Sequence, residues 1–113
     1  MWRDDAYLLD MLLAAQRIQK YAHGYDFKRF EADEILQDAV MRRIQIIGEA
    51  ARKVSPEFKE THPEIPWTDI IGMRHRLIHE YFQIITEKVW ETVIKDIPAL
   101  ISLIEPLVPP ETD

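Results

Sequence analysis

The chain has 113 residues, of which 47% are hydrophobic and 30% are charged, and its formal net charge is −6. This balance excludes an intrinsically disordered chain, because such chains hold too few apolar groups to offset the entropy lost on folding. The length fits one domain with a substantial core. We therefore expect a single domain over residues 1–113, with frayed C-terminal residues from about 106 to 113.

The sequence contains no cysteine, which excludes a disulfide scaffold and a thiolate metal site. No apolar run approaches the roughly 20 residues that span a bilayer, and acids stand where a secretion signal would carry basic residues. We expect a cytoplasmic protein without a membrane partner. Residues 41–80 hold 7 basic and 6 acidic groups, and this is the only third of the chain suited to face phosphate without repulsion.

Apolar residues recur at helical spacing, which predicts an all-α bundle of four main helices plus a short one. The first helix is expected from about Asp4 to Ala22, closed by Gly24. The second is expected from near Asp33 to Val54, on an apolar face that includes Ile35. The short helix should open at Ser55, with a proline next in the chain.

The third main helix follows an extended joint at Pro63 and Pro66, and Thr68 with Asp69 behind it is the expected cap. Thr86 is the expected cap of the last helix. The apolar period of that helix continues through Pro98, which predicts one helix kinked at the proline rather than two separate helices.

The stretch MRHRLIHEYF, residues 73–82, places cations among apolar residues. On a helical wheel Arg74 falls in the middle of the apolar half. A buried, unpaired guanidinium costs several kcal/mol and cannot lose its proton. Two explanations stay open: a salt bridge to Glu49 or Asp38 on the second helix, or a cleft in which Arg74 binds an anion.

His75 and His79 are four residues apart and could both reach one metal ion, but no third ligand follows at metalloprotease spacing. Without a metal, a histidine can move the proton of a ribose 2′-hydroxyl, and an arginine can hold the charge that develops on phosphorus. Such chemistry cleaves RNA. In a regular helix Arg74 and His79 diverge by about 140°, so either the helix breaks near His79 or two subunits pool their residues.

An arginine, four residues, a histidine, one residue and a tyrosine form a pattern that stands here as Arg74, His79 and Tyr81. Together with the segments IIGEAARKVSPEFKETHPEIPWTDIIGMRHRLIHEYF and VWETVIKDIPALISLI, it resembles the HepT-like branch of the HEPN domain family. The resemblance implies a HEPN-type helical bundle. It also implies the toxin of a type VII-like toxin–antitoxin system: a metal-independent endoribonuclease, without a cofactor, that acts as a homodimer.

The same resemblance implies that Arg74 and His79 are catalytic, with His75 at a commonly polar position beside the arginine. It implies that the antitoxin is a MntA-like nucleotidyltransferase, which attaches AMP to Tyr81 and could form a higher assembly with the dimer. The RNA substrate would be a tRNA or an mRNA. From the residues themselves, Glu49 either orients Arg74 or is simply exposed, and Arg43 is either solvated or placed at a dimer cleft or on RNA phosphate.

Two other functions are compatible with the sequence. One is a non-catalytic helical module that binds a nucleotide or serves only to assemble with the partner. The other is a metal-dependent phosphohydrolase using the histidine pair.

Overall fold

The computed structural model describes residues 2–79 and 85–109, apart from the side chains of Trp2 and of residues 77–79. These residues contain helices and no strand, which confirms the predicted all-α bundle. The helices are α1 (Trp2–Ala22), α2 (Phe27–Glu31), α3 (Glu34–Lys53), α4 (Pro56–Thr61), α5 (Trp67–His79), α6 (Thr86–Glu91) and α7 (Ile97–Ile104). A π-helical turn, Thr92–Asp96, joins α6 to α7, and a 3₁₀ turn, Glu105–Leu107, follows.

Helix α3 lies between α1 and α5, and α7 packs against α1. The core is formed by the facing apolar stripes of α1, α3, the π-helical turn and α7, with Phe30 of α2 and Trp67 of α5 also buried. None of the described helices combines the length and apolar character needed to cross a membrane.

Helix α1 ends where the sequence predicts, because Gly24 takes a φ of +79°, a conformation that costs glycine little. The short helix α2 was not predicted. Asp26 caps it by accepting a hydrogen bond from the Arg29 amide at 2.8 Å. Five residues are too few to display a helical period, so the cap was the available signal.

The start of α3 is as predicted, with Asp33 as the N-cap accepting from the Leu36 amide at 2.9 Å. Its predicted apolar face is partly wrong, since Ile35 is 84% exposed. The core side of α3 is carried instead by a stripe that begins one residue later: Leu36, Val40, Ile44, Ile47 and Ala51.

Ser55 caps α4 as predicted, accepting from the Phe58 amide at 3.2 Å. It also fixes the N-terminal part of α1. The Ser55 amide and hydroxyl donate to the carboxylate of Asp4 at 2.9 and 2.7 Å. Asp4 is only 3% exposed, so these two bonds satisfy a charge that would otherwise be costly to bury.

The predicted caps of the last two main helices are wrong. Helix α5 already begins at Trp67, with the Ile70 amide donating to the Pro66 carbonyl at 3.0 Å, so Thr68 and Asp69 lie inside its first turn. Helix α6 begins at Thr86 and has no side-chain cap.

The helical path through Pro98 is continuous, as predicted. The path departs from regular α-helical geometry at the π-helical turn before the proline. There the Ile97 amide donates to the Thr92 carbonyl, five residues back. A wider turn suits this position because proline has no N–H and its ring collides with the carbonyl four residues earlier.

Candidate active site around Arg74

Arg74 lies where α5 crosses Gly48 of α3. A Cβ at position 48 would overlap the Cβ of Arg74 and lie 3.1 Å from both its Cγ and the carbonyl oxygen of Ile70. The two helices can approach this closely because residue 48 has no side chain. Gly48 therefore fixes where the stem of Arg74 sits. The small residues Gly48, Ala50 and Ala51 are a sequence signal for a close helix contact on α3, without identifying the helix that it meets.

The Nε atom of Arg74 is shielded from solvent and has no hydrogen-bond partner among the described residues. The residue as a whole is only partly buried. An N–H group that is shielded from water without a hydrogen-bond acceptor is costly in a folded protein. Arg74 is therefore suited to accept an anion from outside the chain.

The salt bridge that the sequence allowed for Arg74 is not present among the described residues. Glu49 instead pairs with Lys53 at 3.5 Å, and both of these side chains are 44% exposed. Asp38 lines a separate pocket beside Phe30 and Thr86. Of the two explanations for Arg74, the anion-binding cleft is the one that these contacts favour.

His75 follows Arg74 on α5 and is exposed. The backbone of α5 is α-helical through His79, its last residue, and a helix break near His79, one of the two alternatives, falls at the edge of the described residues. The His79 side chain and the whole of Tyr81 lie outside the described residues.

Arg43 does not share the face of α3 that meets Arg74. Its Nη2 donates to the hydroxyl of Tyr21 on α1 at 3.4 Å, whereas Gly48, about 140° further round α3, faces α5. Tyr21 was not among the predicted site residues. The available signal was Arg17, which precedes Tyr21 by four residues and therefore lies on the same side of α1.

An apolar groove of about 540 Å³ lies on one side of α5, between it, α3 and α7. Ile44, Ile70, Met73 and Leu100 are among its apolar lining residues, and Arg76 and Asp69 contribute charge. His75 is absent from this lining. Arg74 is absent as well, so the groove is separate from the candidate site around Arg74.

Metal-ligating side chains do not cluster in the described part of the chain, where no group of three or more could hold an ion. This observation does not cover the histidine pair, since the side chain of His79 is outside the described set.

The sequence matches the family model described as "Ribonuclease HepT-like" over residues 11–107. Among similar proteins is the "Probable ribonuclease HepT" of Thermococcus cleftensis, 42% identical over 83% of this chain and 86% of the relative. A protein of Caldanaerobacter subterraneus subsp. tengcongensis named "Putative RNase" is 40% identical over 83% of this chain and 84% of its own. A similarly named protein of Methanocaldococcus jannaschii is 35% identical over 84% and 87%. No solved structure gave a significant match.

Proposed function

Because the chain belongs to the HepT-like ribonuclease family, we propose that it is a metal-independent endoribonuclease and the toxin of a type VII-like toxin–antitoxin system in the cytoplasm. The observation that carries this proposal is the buried, unpartnered Nε of Arg74. An RNA phosphate is an anion that would supply the missing hydrogen-bond acceptor.

The proposed reaction needs no cofactor. The ribose 2′-oxygen attacks the adjacent phosphorus and loses its proton to a histidine, while the bond from phosphorus to the 5′-oxygen breaks and that oxygen takes up a proton. The products are a 2′,3′-cyclic phosphate and a 5′-hydroxyl. We assign the proton transfers to His79 and the stabilisation of charge on phosphorus to Arg74, with His75 as a supporting polar group.

The regular course of α5 supports a site shared by two subunits. Since α5 is helical through His79, a step of about 140° separates it from Arg74. In one copy the two positions therefore lie far apart around the helix. A homodimer in which Arg74 of one copy faces His79 of the other would bring them to the same phosphate.

Control of the toxin is proposed to act through Tyr81. A MntA-like nucleotidyltransferase would transfer AMP from a nucleoside triphosphate to the tyrosine oxygen, with pyrophosphate leaving. On a helical wheel the motif spacing predicts Tyr81 two turns beyond Arg74 and within about 20° of it, and on that prediction added phosphate and base would occupy the cleft that RNA needs. Mass spectrometry of protein coexpressed with its antitoxin should find AMP on Tyr81. Bare Tyr81 in a fully neutralised toxin would instead indicate occlusion by the partner.

The central experiment is expression without the antitoxin. We expect growth arrest and RNA cleavage, both lost in Arg74→Ala and in His79→Ala. Arg76→Ala is the matched control, because Arg76 is an exposed arginine on the same helix whose described contact is the sulfur of Met73 at 3.9 Å. Arrest that persists in folded Arg74→Ala and His79→Ala proteins would favour the non-catalytic module.

Metal independence has its own test. Purified protein should cleave RNA at the same rate after treatment with EDTA. Loss of cleavage on chelation, restored by added divalent cation, would favour the phosphohydrolase alternative.

A further inference from the structure

The hydroxyl of Tyr21, near the end of α1, is approached by two guanidinium groups. Arg43 of α3 donates to it from Nη2 at 3.4 Å, and its Cζ lies 6.0 Å from the centre of the tyrosine ring. Arg17 lies one turn earlier on α1. Its guanidinium, and after it that of Arg43, hold the pKa of Tyr21 below the ordinary value of 10.0 against the raising effect of burial.

No carboxylate compensates these charges within residues 2–79 and 85–109. The described ion pairs are made by Lys53, His62 and Lys95, and neither Arg17 nor Arg43 takes part in one. Two cations that converge on one neutral hydroxyl repel each other, and an anion placed between them would remove that repulsion.

We propose that Arg17, Tyr21 and Arg43 form a second phosphodiester-binding site, which holds the backbone of the RNA at a distance from the reacting phosphate. Guanidinium groups suit this role because their planar array of donors matches phosphate oxygens. The partly exposed ring of Tyr21 offers a surface on which a neighbouring base can stack. The inference rests on the proposed ribonuclease function for the identity of the polyanion.

The position of the cluster gives it a distinct role from Arg74. Arg43 faces α1 and Gly48 faces α5, so the cluster and Arg74 lie on different sides of α3. RNA bound at both must extend around that helix. A very short oligonucleotide could occupy Arg74 alone, and the cluster would therefore favour longer substrates.

The test measures binding without cleavage. A fluorescently labelled, fully 2′-O-methylated single-stranded RNA has no 2′-hydroxyl to attack, and its affinity is read by fluorescence anisotropy across a salt series. We expect Arg17→Gln and Arg43→Gln each to weaken binding about fivefold or more and to lower the slope of log affinity against log salt by about 0.7. Arg42→Gln, an exposed arginine on the same helix, should change affinity less than about twofold.

Three results would overturn the proposal. Equal weakening by Arg42→Gln would indicate a general charge effect, and unchanged affinity in Arg17→Gln and Arg43→Gln would show that no site exists there. A change of oligomeric state in these two variants, measured by light scattering, would make the cluster a subunit contact. Far-UV circular dichroism confirms that each variant is folded.

Binding and cleavage measured on the same protein distinguish the phosphate-binding site from the proposed ribonuclease function. If wild-type protein binds the methylated RNA through Arg17 and Arg43 but cleaves no unmodified RNA, the ribonuclease proposal fails and the phosphate site stands. If it cleaves RNA while Arg17→Gln and Arg43→Gln retain full affinity and an unchanged KM, the phosphate site fails and the ribonuclease proposal stands.

Discussion

Gly48 and Arg74 meet across the interface of α3 and α5 at a separation that leaves no room for a Cβ on residue 48. The neighbouring atoms are the Arg74 stem and the Ile70 carbonyl, and the latter is backbone that cannot rotate away. Gly48→Ala should therefore push α5 outward and lower the free energy of unfolding by about 1–3 kcal/mol. Chemical denaturation measures this change, and RNA cleavage should fall with it because Arg74 is displaced.

Gly72→Ala is the matched control for that substitution. Gly72 lies on α5, and an added Cβ there would meet no atom within 4 Å. Since alanine favours a helix over glycine by up to about 1 kcal/mol, this variant should be as stable as the wild type or more stable. If Gly48→Ala were equally well tolerated, the close helix contact would not be a feature of the protein in solution.

Arg74 itself should contribute little to stability, because its buried Nε has no partner among the described residues. Replacing a side chain that buries an unpaired N–H by an apolar side chain of similar length removes the cost of that unpaired group. We expect Arg74→Met to unfold at the same denaturant concentration as the wild type or a higher one, and to lack cleavage. Arg74→Lys should also be inactive or nearly so, since lysine cannot reproduce the planar donor array. A large loss of stability in Arg74→Met would indicate a structural role for the guanidinium.

Local signals in the sequence were sufficient to predict most of the fold. Gly24 and Ser55 occupy the capping positions expected of them, and α3 starts at Asp33 as expected, because a cap depends on the residue's own hydrogen bond or backbone freedom. The same reasoning failed at Thr86, which lies in the first turn of α6 without capping it. A residue with a suitable side chain caps a helix only when it directly precedes the first helical residue. Tertiary packing decides at which residue the helix begins.

The candidate site was less accessible to sequence reasoning. A helical wheel placed Arg74 on the apolar side of its helix but could not show that Gly48 would lie against it, because that contact depends on how two helices cross. Helical spacing likewise suggested Ile35 for the apolar face of α3, whereas it is 84% exposed. Periodicity gives the direction of a side chain relative to its own helix, and the neighbouring helix determines what it meets.

Asp4 should make stability depend on acid pH. Burial raises the pKa of its carboxyl, but the hydrogen bonds from the hydroxyl and amide of Ser55, with the charge of Lys59 nearby, outweigh this effect and hold the pKa below 3.8. A carboxyl whose pKa is lower in the folded chain than in the unfolded chain stabilises the fold. This stabilisation is fully present at pH values above the pKa of the unfolded chain, and it is lost as the pH falls through the pKa of the folded chain. The loss should therefore occur below about pH 4.

The variant Asp4→Asn isolates this contribution from those of Asp33 and Glu64, whose pKa values are also lowered. We expect it to be about 1–3 kcal/mol less stable than the wild type at neutral pH, with the difference shrinking as pH falls below about 4. Asp10→Asn, an exposed acid on the same helix, should change stability by less than about 0.5 kcal/mol. Urea unfolding at a series of pH values provides the measurement, and a difference that stays constant with pH would contradict the assignment.

A subunit-mixing experiment tests whether Arg74 of one copy works with His79 of the other. Arg74→Ala and His79→Ala proteins are each expected to be inactive, but after joint unfolding and refolding half of randomly formed dimers contain one of each. In such a dimer, one of the two shared sites receives an intact arginine from one copy and an intact histidine from the other. Cleavage should thus recover to about a quarter of the wild-type rate. If both residues of a site came from a single copy, every site in the mixture would lack one of them and no activity would return.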